Sequence, residues 1–167
     1  MKGKRLGLLL ILVIVSGVVR AQFTGAKMQL AGINCALCAK TTERALRSLS
    51  FISDVKPDLN HNIYVLTFKP GQAVDFEQIG KLVRDENFFI TFFKPTIDFS
   101  QVKPADDRFT TGVNTYQLLN PAGKTLNGQL EFTMVDKGFA PHSVSKKYPG
   151  AMDDNSTKTA RVYHLVI

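Results

Sequence analysis

The chain has 167 residues, of which 44% are hydrophobic and 21% are charged, and its formal net charge is +7. This composition is typical of one medium or two small globular domains and excludes long disordered tracts. Four of the 21 basic residues and none of the 14 acidic ones lie in residues 1–21, which leaves 17 against 14, a net charge of +3, for the rest. The sequence has no basic stripe with interleaved aromatic residues, so we expect no nucleic-acid partner.

The N-terminus has the three parts of a secretory signal peptide. Residues 1–5 are basic, residues 6–15 form a continuous apolar run, and small or apolar residues stand at the −3 and −1 positions of a cleavage site after Ala21. The apolar run is short for a bilayer span, which needs about 20 residues. We therefore expect residues 1–21 to be removed, no stable membrane insertion afterwards, and export to the periplasm or the extracellular space.

The first elements after the signal peptide are a short strand, a loop and a helix. Residues 27–31 alternate between polar and apolar side chains and predict a strand. The loop G-I-N-C-A-L-C follows and holds the only two cysteines of the chain, Cys35 and Cys38. Apolar or small residues then recur on one helical face, which predicts a helix that begins at Cys38.

Two strands joined by a turn come next. Residues 53–59 predict a strand with Pro57 at an edge or a bulge. Residues 60–62, Asn-His-Asn, predict a turn, because Asn tolerates a positive φ. Residues 63–69 form the clearest strand pattern of the chain.

A second helix and a further strand complete the N-terminal part. Asp75 is expected to cap the helix, which should end at Asn87, and residues 88–93 predict a strand. The resulting order, β-α-β-β-α-β, indicates a ferredoxin-like α+β domain over residues 22–95, with two helices on one face of an antiparallel sheet.

The remainder of the chain has a different pattern. Residues 96–108 contain Pro104 and the acidic pair Asp106-Asp107 and predict a linker. Residues 109–167 contain strand-like runs and predict a small, mostly β unit of unknown role, marginal in size for a core of its own. Its histidines and methionines have no spacing of a metal motif, and we expect them to be ordinary residues: His142, His164, Met134 and Met152.

Three chemical interpretations fit the pair Cys35 and Cys38. A structural disulfide across two intervening residues closes almost no chain and removes little entropy from the unfolded state. A redox pair fits the spacing, because C-x-x-C at a helix start is also a thiol–disulfide exchange motif. A metal clip is favoured, because a helix N-terminus favours thiolates. Two sulfurs alone suit copper(I) or mercury(II) better than zinc, which takes four ligands.

The loop and the order of elements resemble the heavy-metal-associated domain family over about residues 26–94. Residues 32–38 are similar to the family's G-M-x-C-x-x-C loop, and residues 85–88, D-E-N-F, to its D-A-G-[YF]. The family includes copper chaperones, N-terminal modules of copper-pumping ATPases and periplasmic mercury-binding proteins. Residues 109–167 lie outside the resemblance.

The resemblance implies roles for individual residues. Cys35 and Cys38 would be the metal ligands, and Ile33 and Phe88 would shield the site. Ile33 stands where the family usually has Met, a change that conserves volume. Asn87 stands where the family usually has Gly, and Asn also tolerates a positive φ at a helix end.

These observations predict an exported soft-metal-binding protein for carriage, sequestration or delivery. Copper(I) is the favoured ion, with mercury(II) or zinc as alternatives, and a metal-transfer protein or transporter domain is the expected partner. The alternative is a periplasmic thiol–disulfide exchange protein. No catalytic motif is present in the sequence, so we expect no enzyme. In an oxidising compartment the two cysteines could rest as a disulfide that must be reduced before metal binds.

Overall fold

The computed structural model describes residues 22–100, 104–121, 123, 125–153 and 160–167. The predicted signal peptide lies outside the described residues. The N-terminal part has the predicted order β-α-β-β-α-β, in six elements: β1 (Gln22–Ala31), α1 (Ala36–Arg47), β2 (Ile52–Asp58), β3 (Ile63–Phe68), α2 (Phe76–Asp85) and β4 (Phe89–Asp98).

The first sheet places β1 between β3 and β4, and β2 pairs with the other side of β3. Both helices cover the same face of this sheet. The Tyr64 hydroxyl on β3 donates a hydrogen bond to the carbonyl of Ala39 on α1 at 3.2 Å. Four residues further along β3, the ring of Phe68 contacts the edge of Phe76 on α2. The arrangement is consistent with the predicted ferredoxin-like fold.

The second helix begins where its sequence predicts and ends at Asp85, two residues before the predicted end at Asn87. Asp75 accepts a hydrogen bond from the backbone N–H of Gln78 at 3.1 Å, which confirms it as the N-cap of α2. Asn87 follows the helix with a φ of +60°, the left-handed conformation that Asn tolerates. No helix within the described ranges is long and apolar enough to cross a membrane.

The first helix begins earlier than predicted. Cys35 is the N-cap of α1 and Ala36 its first residue, so the predicted start at Cys38 was wrong. The apolar pattern misled because it records only where the helix meets the core. The first buried residue of α1 is Ala39, one turn inside the helix.

Strands β1 and β4 are also longer than their patterns indicate. β1 begins at Gln22, and a bulge between Phe23 and Gly25 breaks the alternation that would have revealed it. Gly25 also lets β3 approach closely, since a Cβ atom there would lie 2.5 Å from the carbonyl oxygen of Leu66. β4 runs to Asp98 and so includes the first three residues of the predicted linker.

After β4, the described residues form five further strands and one short helix: β5 (Arg108–Thr111), β6 (Asn114–Leu118), β7 (Gln129–Glu131), β8 (Thr133–Met134), α3 (His142–Ser145) and β9 (Val162–Val166). β7 does not join the other four strands but pairs with β4, opposite the side of β4 that pairs with β1. The second sheet has the order β5-β6-β9-β8, in which β6 and β9 are parallel.

The two sheets share a hydrophobic core. Phe76 of α2 is fully buried and lies at its centre. Its ring contacts the edge of Tyr163 on β9, at a centroid distance of 5.7 Å, and also contacts Tyr116 on β6. The same ring packs against β1, β3 and β4 through Phe23, Phe68 and Phe93. The helix layer of the first sheet is therefore also in contact with the second sheet.

Candidate metal centre

The loop from Gly32 to Cys35 carries the chain from the central strand β1 into α1. Gly32 has a φ of +97°, a conformation that residues with a Cβ atom rarely adopt. A Cβ atom at this position would lie 3.3 Å from Cδ1 of Phe88, so the Phe88 ring covers the start of the loop. Ile33 is buried and anchors the loop to the hydrophobic core. The structure thus brings Ile33 and Phe88 to the same loop as the cysteines.

The two sulfur atoms lie at the N-terminus of α1 and form a disulfide. The Cα atoms of Cys35 and Cys38 are 5.3 Å apart. Cys35 is exposed, and its Sγ accepts a hydrogen bond from the backbone N–H of Cys38 at 3.0 Å. Cys38 is half-buried and packs against the core. Its carbonyl oxygen accepts a hydrogen bond from the hydroxyl of buried Thr42 at 3.0 Å. Cys35 is therefore the more accessible sulfur.

The β2–β3 turn lies beside this loop and leaves a cleft between them. The side chain of Asn62 donates a hydrogen bond to the carbonyl of Ile33 at 3.4 Å, and the N–H of Leu30 donates to the carbonyl of Asn62 at 3.0 Å. Asn62 has a φ of +52°, as expected for the predicted turn. The cleft has a volume of about 310 Å³, and both Cys35 and Leu59 line it.

Within the described residues, no group of three or more His, Cys, Asp and Glu side chains could hold a metal ion. His61, in the turn beside the loop, is exposed, and its Nδ1 lies 2.8 Å from Oδ2 of Asp58. This contact, together with two weaker backbone hydrogen bonds, holds the pKa of Asp58 below its ordinary value. The protein donors on the loop are therefore two sulfurs, a set that suits a soft ion of low coordination number.

The electrostatic surroundings of the sulfurs are positive. Cys35 is the N-cap of α1, so both sulfurs lie at the positive end of its dipole. The first turn of α1 contains no acidic residue, and Lys40 and Arg44 are exposed along the helix. Reduced cysteines at this position are stabilised as thiolates, the form that binds metals.

Sequence patterns gave no sign of two polar pairs in the C-terminal part. Buried Asp136 accepts hydrogen bonds from the backbone N–H of His164 at 2.7 Å and from its Nδ1 at 2.8 Å. Arg161 pairs with Glu77 of α2 and lies over the Tyr163 ring. These partners come from distant parts of the chain, so no local spacing reveals them. The Asp136 contact gives His164 a structural role.

Comparison with known proteins gives low similarity throughout. No protein-family model matches the sequence. No curated protein matches it significantly. The yeast copper transporter domain Ccc2a matches with 22% identity and a TM-score of 0.36, over 39% of this chain and 88% of that domain. A copper form of CopA from Bacillus subtilis matches with 18% identity and a TM-score of 0.35, over 43% of this chain and 91% of that one.

The N-terminal domain of the zinc(II) ATPase ZiaA matches with 15% identity and a TM-score of 0.37, over 62% of this chain and 87% of that domain. Like the other two, it spans most of its own length on only part of the present chain. Because all these identities and TM-scores are low, the proposed function rests on the residues of the site itself.

Proposed function

We propose that the protein is exported and binds one copper(I) ion through the reduced thiolates of Cys35 and Cys38, for carriage, sequestration or delivery. The observation that carries this proposal is the position of both sulfurs at the N-terminus of α1, with Cys35 at the surface. Copper(I) is satisfied by two soft ligands, whereas structural zinc needs four. Mercury(II), which suits the same pair of sulfurs, is the next candidate.

The residues around the sulfurs have supporting roles. Buried Ile33 and the ring of Phe88 fix the path of the loop, so both sulfurs stay on one side of it. The open cleft beside Cys35 gives a second protein access to the bound ion. A transfer partner that presents its own thiolates could take the ion through a shared intermediate. Such a role requires no catalysis by this chain.

The test is a copper(I) titration of the fully reduced protein against a competing chelator. The matched control is the double variant Cys35→Ser/Cys38→Ser, which replaces the sulfur acceptor at the helix N-cap with a hydroxyl oxygen and removes both soft donors. We expect wild type to bind one equivalent and the variant to bind none. Equal retention of copper(I) by the two proteins would refute the ligand assignment. Parallel titrations with mercury(II) and zinc(II) rank the three ions by their affinity for the protein.

One observation favours a second candidate function, thiol–disulfide exchange. The cysteines form a disulfide at a helix N-terminus, with an N–H group donating to the Sγ of Cys35. Such a protein would reduce or oxidise cysteines in other proteins. The test is its ability to reduce insulin in the presence of a thiol donor. A turnover that disappears in Cys35→Ser would support this candidate, and no turnover above the double variant would exclude it.

A further inference from the structure

The disulfide between Cys35 and Cys38 has to be opened before the proposed metal site can exist, and the inference below therefore rests on that proposed function. Opening it consumes two electrons, and one proton for each thiolate that becomes a thiol. An exported protein lies in a compartment that favours disulfides. A donor of electrons must therefore reach the two sulfurs, and its approach is constrained by what surrounds them.

The accessible sulfur is that of Cys35. Cys35 is exposed and lines the cleft beside the β2–β3 turn, whereas Cys38 is half-buried against the core. Thiol–disulfide exchange requires the attacking thiolate to reach one sulfur directly, and access decides which one. Attack is therefore expected at Cys35, with the bond to Cys38 breaking.

Large exposed apolar side chains flank the disulfide. Leu37, between the two cysteines, is 74% exposed, and Leu59, across the cleft from Cys35, is 55% exposed. We call Leu37 and Leu59 the apolar rim. Exposed apolar groups clustered around a reactive bond are typical of a protein-binding surface.

The charge on α1 beside Leu37 is positive, and the exposed carboxylate of Asp58, next to Leu59, is paired with His61. Lys40 and Arg44 follow Leu37 at spacings of three and seven residues, which places all three on one side of α1. Neither basic side chain forms an ion pair with another described residue, whereas Arg47 on the same helix pairs with Glu43. A partner with acidic residues around its own reactive group is complementary to this stripe.

We propose that the Cys35–Cys38 disulfide is the substrate of a partner protein's dithiol, which docks on the apolar rim through an acidic surface. A partner thiolate attacks Sγ of Cys35, a mixed disulfide forms, and Cys38 leaves as a thiolate that takes up a proton. The second partner thiolate attacks the partner's sulfur in the mixed disulfide. Cys35 then leaves as a thiolate, held by the N–H of Cys38. The partner ends as a disulfide, and this chain gains both electrons.

The first test compares a protein dithiol with a small one. The oxidised protein is mixed with reduced thioredoxin that has an acidic surface, or with dithiothreitol, and the second-order rate of disulfide opening is measured. The variants are Leu37→Ser, Leu59→Ser and Lys40→Glu/Arg44→Glu. Val113→Ser is the control, because Val113 is 63% exposed but lies in the β5–β6 turn.

We expect each rim or charge variant to lower the thioredoxin rate about tenfold, which is the effect of losing about 1.4 kcal/mol of contact. The dithiothreitol rate and the Val113→Ser rates should stay within about twofold of wild type. Rates that are unchanged with thioredoxin would overturn the docking surface. Rates that fall equally with both reductants would also overturn it, since the change would then lie in the disulfide and not in docking.

The second test identifies the sulfur that is attacked. A thioredoxin variant without its second cysteine is mixed with the oxidised protein, the reaction is quenched with acid, and free thiols are alkylated. Fragmentation of the peptide that holds both cysteines should show Cys35 bound to thioredoxin and Cys38 alkylated. The reverse pattern would overturn the assignment of Cys35.

A copper(I) titration of chemically reduced Leu59→Ser separates this inference from the proposed function. Normal copper(I) binding with slow reduction by thioredoxin supports both. Absence of copper(I) binding in reduced wild type would remove the proposed function, while the rates and the mixed disulfide would still decide whether the disulfide is a substrate.

Discussion

Replacing Phe76 with Ala tests whether the two sheets unfold as one cooperative unit. Phe76 is fully buried, and truncating a buried Phe to Ala costs about 3–5 kcal/mol. The value should be near the upper end, because aromatic pairs add energy beyond the buried area. Five aromatic rings lie within 4.8–6.2 Å of the Phe76 ring, centroid to centroid: Phe23, Phe68, Phe93, Tyr116 and Tyr163.

The expected loss is a large part of the stability of a single domain, which is about 5–15 kcal/mol. A change of 1 kcal/mol shifts Tm by about 3 °C in a chain of this size, so Tm should fall by about 15 °C. The change should appear as one transition, because Phe76 contacts both sheets.

The assay is thermal and urea unfolding of the protein without residues 1–21, followed by circular dichroism and by tyrosine fluorescence. The chain has no Trp, and Tyr64 lies in the first sheet while Tyr116 and Tyr163 lie in the second. Phe89→Ala is the matched control: Phe89 is exposed, so its stability change should stay within about 0.5 kcal/mol. Two separated transitions, or a Phe76→Ala protein no less stable than Phe89→Ala, would refute the shared core.

Two further predictions concern the loop and the pH dependence of stability. Gly32→Ala should destabilise the protein more than Gly71→Ala in urea unfolding. Both sites have a positive φ, but only the Cβ at Gly32 meets another side chain, that of Phe88; equal losses would contradict the contact. A hydrogen bond from Arg47 is the main cause that lowers the pKa of Asp54 below its ordinary value of 3.8. The stability that Asp54 contributes is therefore present above pH 3.8 and is lost as the pH falls through its folded pKa. In Asp54→Asn this loss of unfolding free energy at low pH should disappear. The same pH dependence in variant and wild type would contradict the pairing of Asp54 with Arg47.

The N-terminal order of elements was predictable because its signals are local. Asp75 caps α2 three residues before the N–H that it accepts from, and Asn62 and Asn87 adopt the positive φ that their residue type favours. The C-x-x-C spacing placed both cysteines at one helix end. Each of these features depends on residues only a few positions apart, which a single sequence displays directly.

The features that were not predicted depend on contacts between distant residues. The bulge between Phe23 and Gly25 hid the first half of β1, and the strand opposite this bulge, β4, lies about 70 residues further along the chain. The start of α1 was misplaced because the cap at Cys35 precedes the first buried residue. The pairing of Asp136 with His164 has no local signature, because Asp136 follows β8 whereas His164 lies on β9, 28 residues further along the chain.

The pairing of β7 with β4 has a consequence for self-association. An unpaired edge strand is a template on which another chain can add. Residues 88–93, F-F-I-T-F-F, contain no charge and no proline, the composition of segments that form steric zippers. The N–H of Phe132 donates to the carbonyl of Pro95 at 3.0 Å, and β7 pairs with residues 96–98, so the far half of this edge is occupied within the same molecule. A second chain therefore cannot pair along the whole of β4, and a fragment that ends before β7 would present ten consecutive edge residues as an aggregation site.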